Sequence, residues 1–212
     1  MYQKLKVLSL LLSFTLVKPF RNHFRAPSLN NVRLFRTSAM FETNELSNSL
    51  RVTCESENDI EDLGSKLSQQ LAIGDVLLMK GDLGAGKTTL SRGIIREKFN
   101  DPTMRVTSPS YLLDNTYEFC DGSIIHHIDL YRLPTACDLG MLGIPEIYSS
   151  SICLIEWSER MDPKFVPEQY LEIIINIIGE SEEEGKSERL VTLIPNGDKW
   201  NARIKIMSLH FE

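Results

Sequence analysis

From residue 58 onward, helical and extended hydrophobic patterns take turns along the chain. Ile60, Leu63, Leu67 and Leu71 recur every three or four residues behind Asn58 and Glu61, whose spacing fits a capping box, and predict an amphipathic helix over about 59–72. Residues 75–80 carry the uninterrupted apolar run VLLM between Gly74 and Gly81, which predicts a short strand buried on both faces. A second helix is predicted from Thr88 to about Phe99, broken by DPT at 101–103, and the Ser-rich VTSPSY at 106–111 reads as a loop. LLDNTYEF, CDG and SIIHHIDL then read as strand, turn and strand, with Asp121 and Gly122 supplying the turn chemistry and Pro134 closing the unit. A short helix around 135–142 leads through GIPEI to a second buried strand, ICLIE, at 152–156. YLEIIINII at 170–178 and ERLVTLI at 188–194 predict two further strands, joined by the acidic loop GESEEEGKS.

Helices alternating with apolar strands predict an α/β fold: a mixed, mostly parallel sheet with flanking helices and antiparallel additions from the hairpins. No internal repeat is visible. The pattern confines one globular domain to about 51–196, leaving 197–212 as a tail without a predicted element.

Charge divides the chain differently. Residues 1–40 hold seven of the 23 basic residues and none of the 29 acidic ones, so 41–212 hold 16 and 29, a net charge of −13. An acidic body argues against an extended nucleic-acid surface, which is built from clustered Lys and Arg. The first forty residues, basic, rich in Ser and Leu and ending in RLFRTSAM, are expected to be a cleavable organelle presequence and are set aside from the fold. Arg33, Phe35 and Ser38 stand at RxFxxS, which resembles a twice-trimmed mitochondrial site. VLSLLLSFTLV at 7–17, behind Lys4 and Lys6, resembles a secretory core, and its pairing with a basic segment is the layout of some plastid presequences. A mitochondrial matrix or plastid stroma is therefore expected; a basic arm retained on a cytoplasmic protein is the alternative. Cys54, Cys120, Cys137 and Cys153 form no CxxC and predict buried thiols in a reducing compartment. No apolar run reaches the roughly 18–20 residues of a spanning helix, and no membrane association is expected.

The candidate chemistry begins at GDLGAGKTTL, residues 81–90. Gly81, Gly86, Lys87 and Thr88 match G-x-x-x-x-G-K-[ST] in the required setting, after a buried strand and before a helix. Glycines let the loop turn back so that backbone N–H groups converge on phosphate oxygens at the positive end of the helix dipole. Lys87 is expected to reach the β- and γ-phosphates of a nucleotide and the Thr88 hydroxyl to ligate Mg²⁺. GESEEEGKS at 179–187 is a decoy: it is one residue too long, its glutamates repel polyphosphate, and a strand follows it. A metal held by nucleotide needs a carboxylate from a neighbouring strand end. Asp129 ends IIHHID and Glu156 ends ICLIE, so both are candidates; helix capping, or pairing with Arg132 or Arg160, is the alternative for each. His126 and His127 are adjacent, so on a strand they face opposite ways and cannot share a metal. One belongs to the core; the other faces solvent or packs near the nucleotide.

These residues resemble the TsaE family of small P-loop ATPases required for making threonylcarbamoyladenosine in tRNA. The matching blocks are GDLGAGKTTLSRG at 81–93, VTSPSYLL at 106–113, HIDLYRL at 127–133, LGMLGIPE at 139–146 and ICLIEWSER at 152–160, spread over about 52–195. The resemblance implies a P-loop NTPase-like fold that binds ATP and Mg²⁺. It implies that Leu83, Gly84, Ala85, Gly86, Lys87, Thr88 and Thr89 cradle the phosphates. Lys87, Asp129 and Glu156 would be catalytic, with Thr88, Asp129 and Glu156 around the metal. Thr107, Ser108, Pro109, Ser110 and Tyr111 would form a switch-type loop that senses the γ-phosphate, and Trp157 would flank the site. Ser56 or Glu57, and Arg189, are the nearest matches for residues enclosing adenine. Ser110 stands where Thr is usual and Ser158 where Pro often follows; neither is a catalytic position. Partners implied are TsaD-type and TsaB-type proteins of a threonylcarbamoyl transferase complex that the ATPase resets, with tRNA contacted only indirectly. No obvious base for fast hydrolysis is present, so a weak ATPase stimulated by partners is expected. The rival functions are a small-molecule kinase using the same cradle and a nucleotide-dependent binding switch without turnover.

Overall fold

The computed structural model describes residues 48–136, 139–180 and 187–209, so the expectations for residues 1–40, Cys137 and most of the acidic loop fall outside it. Among the described residues seven strands form one sheet: β1 (Leu50–Cys54), β2 (Val76–Lys80), β3 (Asp114–Glu118), β4 (Ile124–Asp129), β5 (Ser151–Glu156), β6 (Tyr170–Glu180) and β7 (Ser187–Asn196). Their order is β1-β7-β6-β2-β5-β4-β3. β6, β2, β5 and β4 run parallel, forming the centre, while β3 and the β7–β1 pair add antiparallel edges. This is the mixed α/β, P-loop NTPase-like fold that the hydrophobic pattern and the motif together imply.

The central strands are apolar on both faces because both are covered. On one face, Leu77 and Met79 of β2 join Leu154 of β5 and Ile173 of β6 under helices α1 (Glu57–Ser68), α2 (Lys87–Phe99) and α3 (Asp198–Ser208). On the other, Val76, Leu78, Ile128 and Ile155 pack beneath Leu139, Ile144, Tyr148 and Phe165 from the winding chain between β4 and β6.

Several elements differ from the sequence expectation. α1 begins two residues earlier than the capping box would set it: Ser56 Oγ, not the Asn58 side chain, accepts the N–H of Asp59, at 3.2 Å. Glu61 instead pairs with Arg96 of α2 at 2.7 Å. α1 also stops at Ser68 rather than 72, because Asp75 accepts the N–H of Ala72 at 2.7 Å and turns the chain into β2. Among the described residues of the helix expected at 135–142, the helical part is the 3₁₀ turn Gly140–Leu142, stopped by Gly143 at φ 70°. β1 and α3 had no predicted counterpart. β1 alternates buried and half-buried residues over only five positions, and α3 buries Trp200, Ile204 and Met207 in the main core. Among the described residues no helix is long and apolar enough to cross a membrane.

Candidate nucleotide site

The parallel registry assembles the site. Met79, near the end of β2, pairs with Glu156 of β5, and Glu156 pairs with Asp129 of β4. The loop leaving β2 therefore opens beside both acids, at the carboxyl edge where open α/β sheets bind ligands.

That loop needs its glycines. At Gly81, φ is 141° and a Cβ would lie 2.4 Å from the Ile175 carbonyl oxygen; at Gly86, φ is 113° and a Cβ would lie 2.7 Å from Ile60 Cδ1. Both positions combine a left-handed backbone with close approach, so only glycine fits. Gly86 is the N-cap of α2 and offers no side-chain acceptor, and the first turn of α2 contains no acid. The leading amides of the helix are thus left for an anion. Leu83 stands exposed at the loop tip, while Ala85 and Thr89 are buried beneath it. Gly84 has open space around it: a Cβ there would meet nothing within 4 Å.

Lys87 is 4% exposed. Its ammonium donates to the carbonyls of Gly81 at 2.5 Å and Asp82 at 2.9 Å, and lies 3.9 Å from the centre of the Trp157 ring. Burial lowers its pKa, opposed first by the nearby Glu156 carboxylate and then by Glu159, Asp129 and Asp82. Thr88 Oγ1 sits 2.9 and 3.1 Å from the two oxygens of Glu156, to which it donates. Glu156 is 2% exposed and is also held by His127, whose Nε2 lies 2.7 Å from Oε1. Asp129, also buried, accepts from Ser108 Oγ at 3.0 Å and from the Tyr131 N–H at 2.8 Å. The 107–111 loop, exposed at Thr107, Ser108 and Tyr111 and buried at Pro109, is thereby tied to the second acid.

Of the sequence-predicted residues, Lys87, Thr88, Asp129, Glu156 and Ser108 are brought together by these contacts. Neither acid takes the alternative partners: Arg132 stacks 4.1 Å over Tyr111, and Arg160 Nε donates to the Leu133 carbonyl. Arg189 pairs across the sheet with Cys54 and is buried, its Nη2 3.5 Å from the Gly84 carbonyl oxygen at the back of the cradle. Ser56 is committed to capping α1. Trp157 takes the left-handed conformation at φ 59° and packs its ring 4.8 Å from Tyr131, forming a wall beside Lys87. A non-glycine residue there stores backbone strain of the kind found at functional sites. The contact that sequence reasoning did not assign is His127 to Glu156. Alternation separates the two histidines, and His126 indeed turns the other way, to Asp114 at 2.6 Å, but alternation does not say which of them meets the acid.

The family described as "Threonylcarbamoyl adenosine biosynthesis protein TsaE" matches residues 54–187. The chain belongs to the TsaE family. It is similar to the TsaE protein of Rickettsia conorii, 32% identical over 163 residues that cover 73% of this chain and 92% of the relative. The TsaE protein of Haemophilus influenzae is 41% identical over 113 residues, covering 53% of this chain and 66% of the relative. Among solved structures, YdiB of Bacillus subtilis superposes with a TM-score of 0.58 at 26% identity, over 77% of this chain and 97% of YdiB. The description of TsaE places the family in threonylcarbamoyl adenosine biosynthesis. Family membership and the cradle agree on a nucleotide-binding protein.

Proposed function

We propose that the chain is a Mg²⁺-dependent ATPase that supports threonylcarbamoyladenosine formation in the tRNA of a mitochondrion or plastid, acting on a transferase complex of TsaD-type and TsaB-type proteins. The observation that carries this reading is the Thr88 hydroxyl held between both oxygens of buried Glu156, directly after a glycine-built anion cradle. A hydroxyl and a carboxylate meeting at a helix N-terminus form a donor set suited to a hard divalent cation. Bound there with ATP, Mg²⁺ would offset the charge developing on the phosphates. The amides of residues 83–89 bind phosphate oxygens, and Lys87 exchanges its two carbonyl partners for phosphate. Asp129 orients water near the metal, and Ser108, tied to Asp129, couples the 107–111 loop to the presence of the γ-phosphate. Arg189 lies at the back of the loop, on the side assigned to the nucleoside.

No side chain in this set is an evident base for fast hydrolysis, so turnover is slow in isolation and rises when partners position water or supply an arginine, an effect worth about 10³–10⁵ in related chemistry. The acidic body leaves RNA contact to those partners. The test is phosphate release by the purified chain with and without the partner pair. A rise that Lys87→Ala and Glu156→Ala abolish is expected; equal rates would refute the role, and ATP binding without phosphate release would make the chain a switch. Depletion in cells should remove the modification from the tRNAs of one organelle and spare the cytosolic ones.

A further inference from the structure

His127 is fully buried in β4, two residues before Asp129, and no step above uses it. Its Nε2 lies 2.7 Å from Glu156 Oε1, the oxygen that also receives the shorter bond from Thr88, at 2.9 Å. Its Nδ1 is buried without a hydrogen-bond partner. A hydrogen bond to a carboxylate requires a proton on Nε2, so the ring donates Nε2–H to Glu156.

We infer that His127 is a positioning residue for the metal-side carboxylate: it pins Oε1 of Glu156 so that Oε2, 3.1 Å from Thr88 Oγ1, is the oxygen presented to the cation or its water. This rests on the Mg²⁺-dependent nucleotide site proposed above and deepens it. A carboxylate free to rotate loses orientation when the nucleotide draws Thr88 away; one tethered by a buried ring cannot. Partners of this kind, outside the ligand set, set metal affinity by about 10- to 100-fold.

The discriminating pair is His127→Asn and His127→Gln. The Gln amide extends to about the place of Nε2 and can still donate to Glu156, whereas the Asn amide stops near Nδ1. The measurement is loss of the free Mn²⁺ resonance signal as metal is added to the ATP-saturated full chain, alongside ATP binding in EDTA. The expected result is a half-saturating metal concentration raised about 10- to 100-fold by Asn, largely restored by Gln, with ATP binding in EDTA little changed by either. Equal shifts for Asn and Gln, or none for Asn, would overturn the role of His127 while leaving the site standing. If the ATP-saturated unsubstituted chain takes up no metal, the Mg²⁺-dependent reading of the site fails and takes this inference with it. Should Asn prevent folding, a metal midpoint for Gln far from that of the unsubstituted chain overturns the inference by itself.

Discussion

A buried lysine is a liability unless something needs it. The Lys87 ammonium is satisfied only by carbonyls and an aromatic face, and burial pulls its pKa below the ordinary lysine value. The sign of that shift says that folding disfavours the charged form: below the unfolded pKa of 10.5 the charge opposes folding, and stability is regained as pH rises toward it. At neutral pH, Lys87→Met is therefore expected to leave the nucleotide-free chain at least as stable as the parent while removing stabilisation by MgATP. For the parent, ligand at a hundredfold its Kd contributes about 2.7 kcal/mol, and at this chain length each kcal/mol moves Tm by roughly 2–4 °C. Thermal unfolding with and without MgATP checks both halves. The thiols give a second residue-scale prediction. Burial pushes Cys54 and Cys153 up to about 12, whereas Cys120 is exposed on the β3–β4 turn. At pH 8 the buried pair holds on the order of one thiolate in 10⁴, so a disulfide reagent should modify Cys120 quickly and reach Cys54 and Cys153 only on unfolding. Mass mapping of the modified peptides decides it. Asp129 and Glu156 were legible as site acids because each ends a strand-like run, IIHHID and ICLIE, and so falls at a carboxyl edge. His127 was not, because its role depends on which face of β4 lies toward β5's acid, and that is decided by the neighbouring strand.

Two glycines set how closely α1 and α2 approach. A Cβ on Gly64 would fall 2.3 Å from the Leu90 carbonyl oxygen, and one on Gly93 would fall 2.0 Å from that of Glu61. Both atoms are backbone, so neither contact is relieved by turning a side chain. Helix propensity alone would favour Ala over Gly by about 1 kcal/mol, while forcing apart a packed interface costs about 1–3 kcal/mol. Because the contacts are to backbone atoms the cost lies at the upper end of that range, so Gly64→Ala and Gly93→Ala are expected to destabilise by up to about 2 kcal/mol net in urea titration; stabilisation by either would mean that the helices are not this close. Because α2 carries Lys87 and Thr88, each substitution should also weaken ATP binding. The helix stripes, the doubly buried β2 and β5 and the β3–β4 hairpin could be read from periodicity, which reports one element's own burial. The start of α1 could not, since Ser56 and Asn58 are both acceptable caps and the choice falls to the packing of Glu61 against Arg96. Nor could β1, whose five residues are too short for a period to stand out and whose pairing is dictated by β7. α3 lacks a strong amphipathic stripe and has no side-chain cap, so nothing local announces it.

At the scale of the molecule, α3 completes the core on the same face of the sheet as α1 and α2. Trp200 is fully buried among residues of the same core that supports α1 and α2, and Ile204 and Met207 lie beside it. Lys199 and Arg203 reach from α3 to Asp75, a carboxylate with 1% of its side chain exposed, at 2.7 and 2.5 Å. Asp75 in turn holds Ala72 N–H and so fixes the turn into β2, the strand that delivers the cradle. Deleting α3 would uncover the core and strand a buried charge at once. Trp→Ala in a core costs about 3–5 kcal/mol, and breaking a buried ion pair costs about 3–5 kcal/mol, against a total stability of about 5–15 kcal/mol. A chain ending at Asn196 is therefore expected to be unfolded. Point variants separate the two contributions. Asp75→Asn keeps a hydrogen-bond acceptor for Ala72 and leaves Lys199 and Arg203, whose side chains are 33% and 22% exposed, free to turn to water, so its cost is small. Removing both cations by Lys199→Met with Arg203→Met leaves Asp75 buried with neither of these ion-pair partners, and costs more. Adding Asp75→Asn to that double variant should recover stability, so the effects are non-additive in a stated direction. Urea unfolding of the four chains measures the coupling; additive effects would show that α3 is held by Trp200 and its neighbours alone, with the ion cluster contributing nothing.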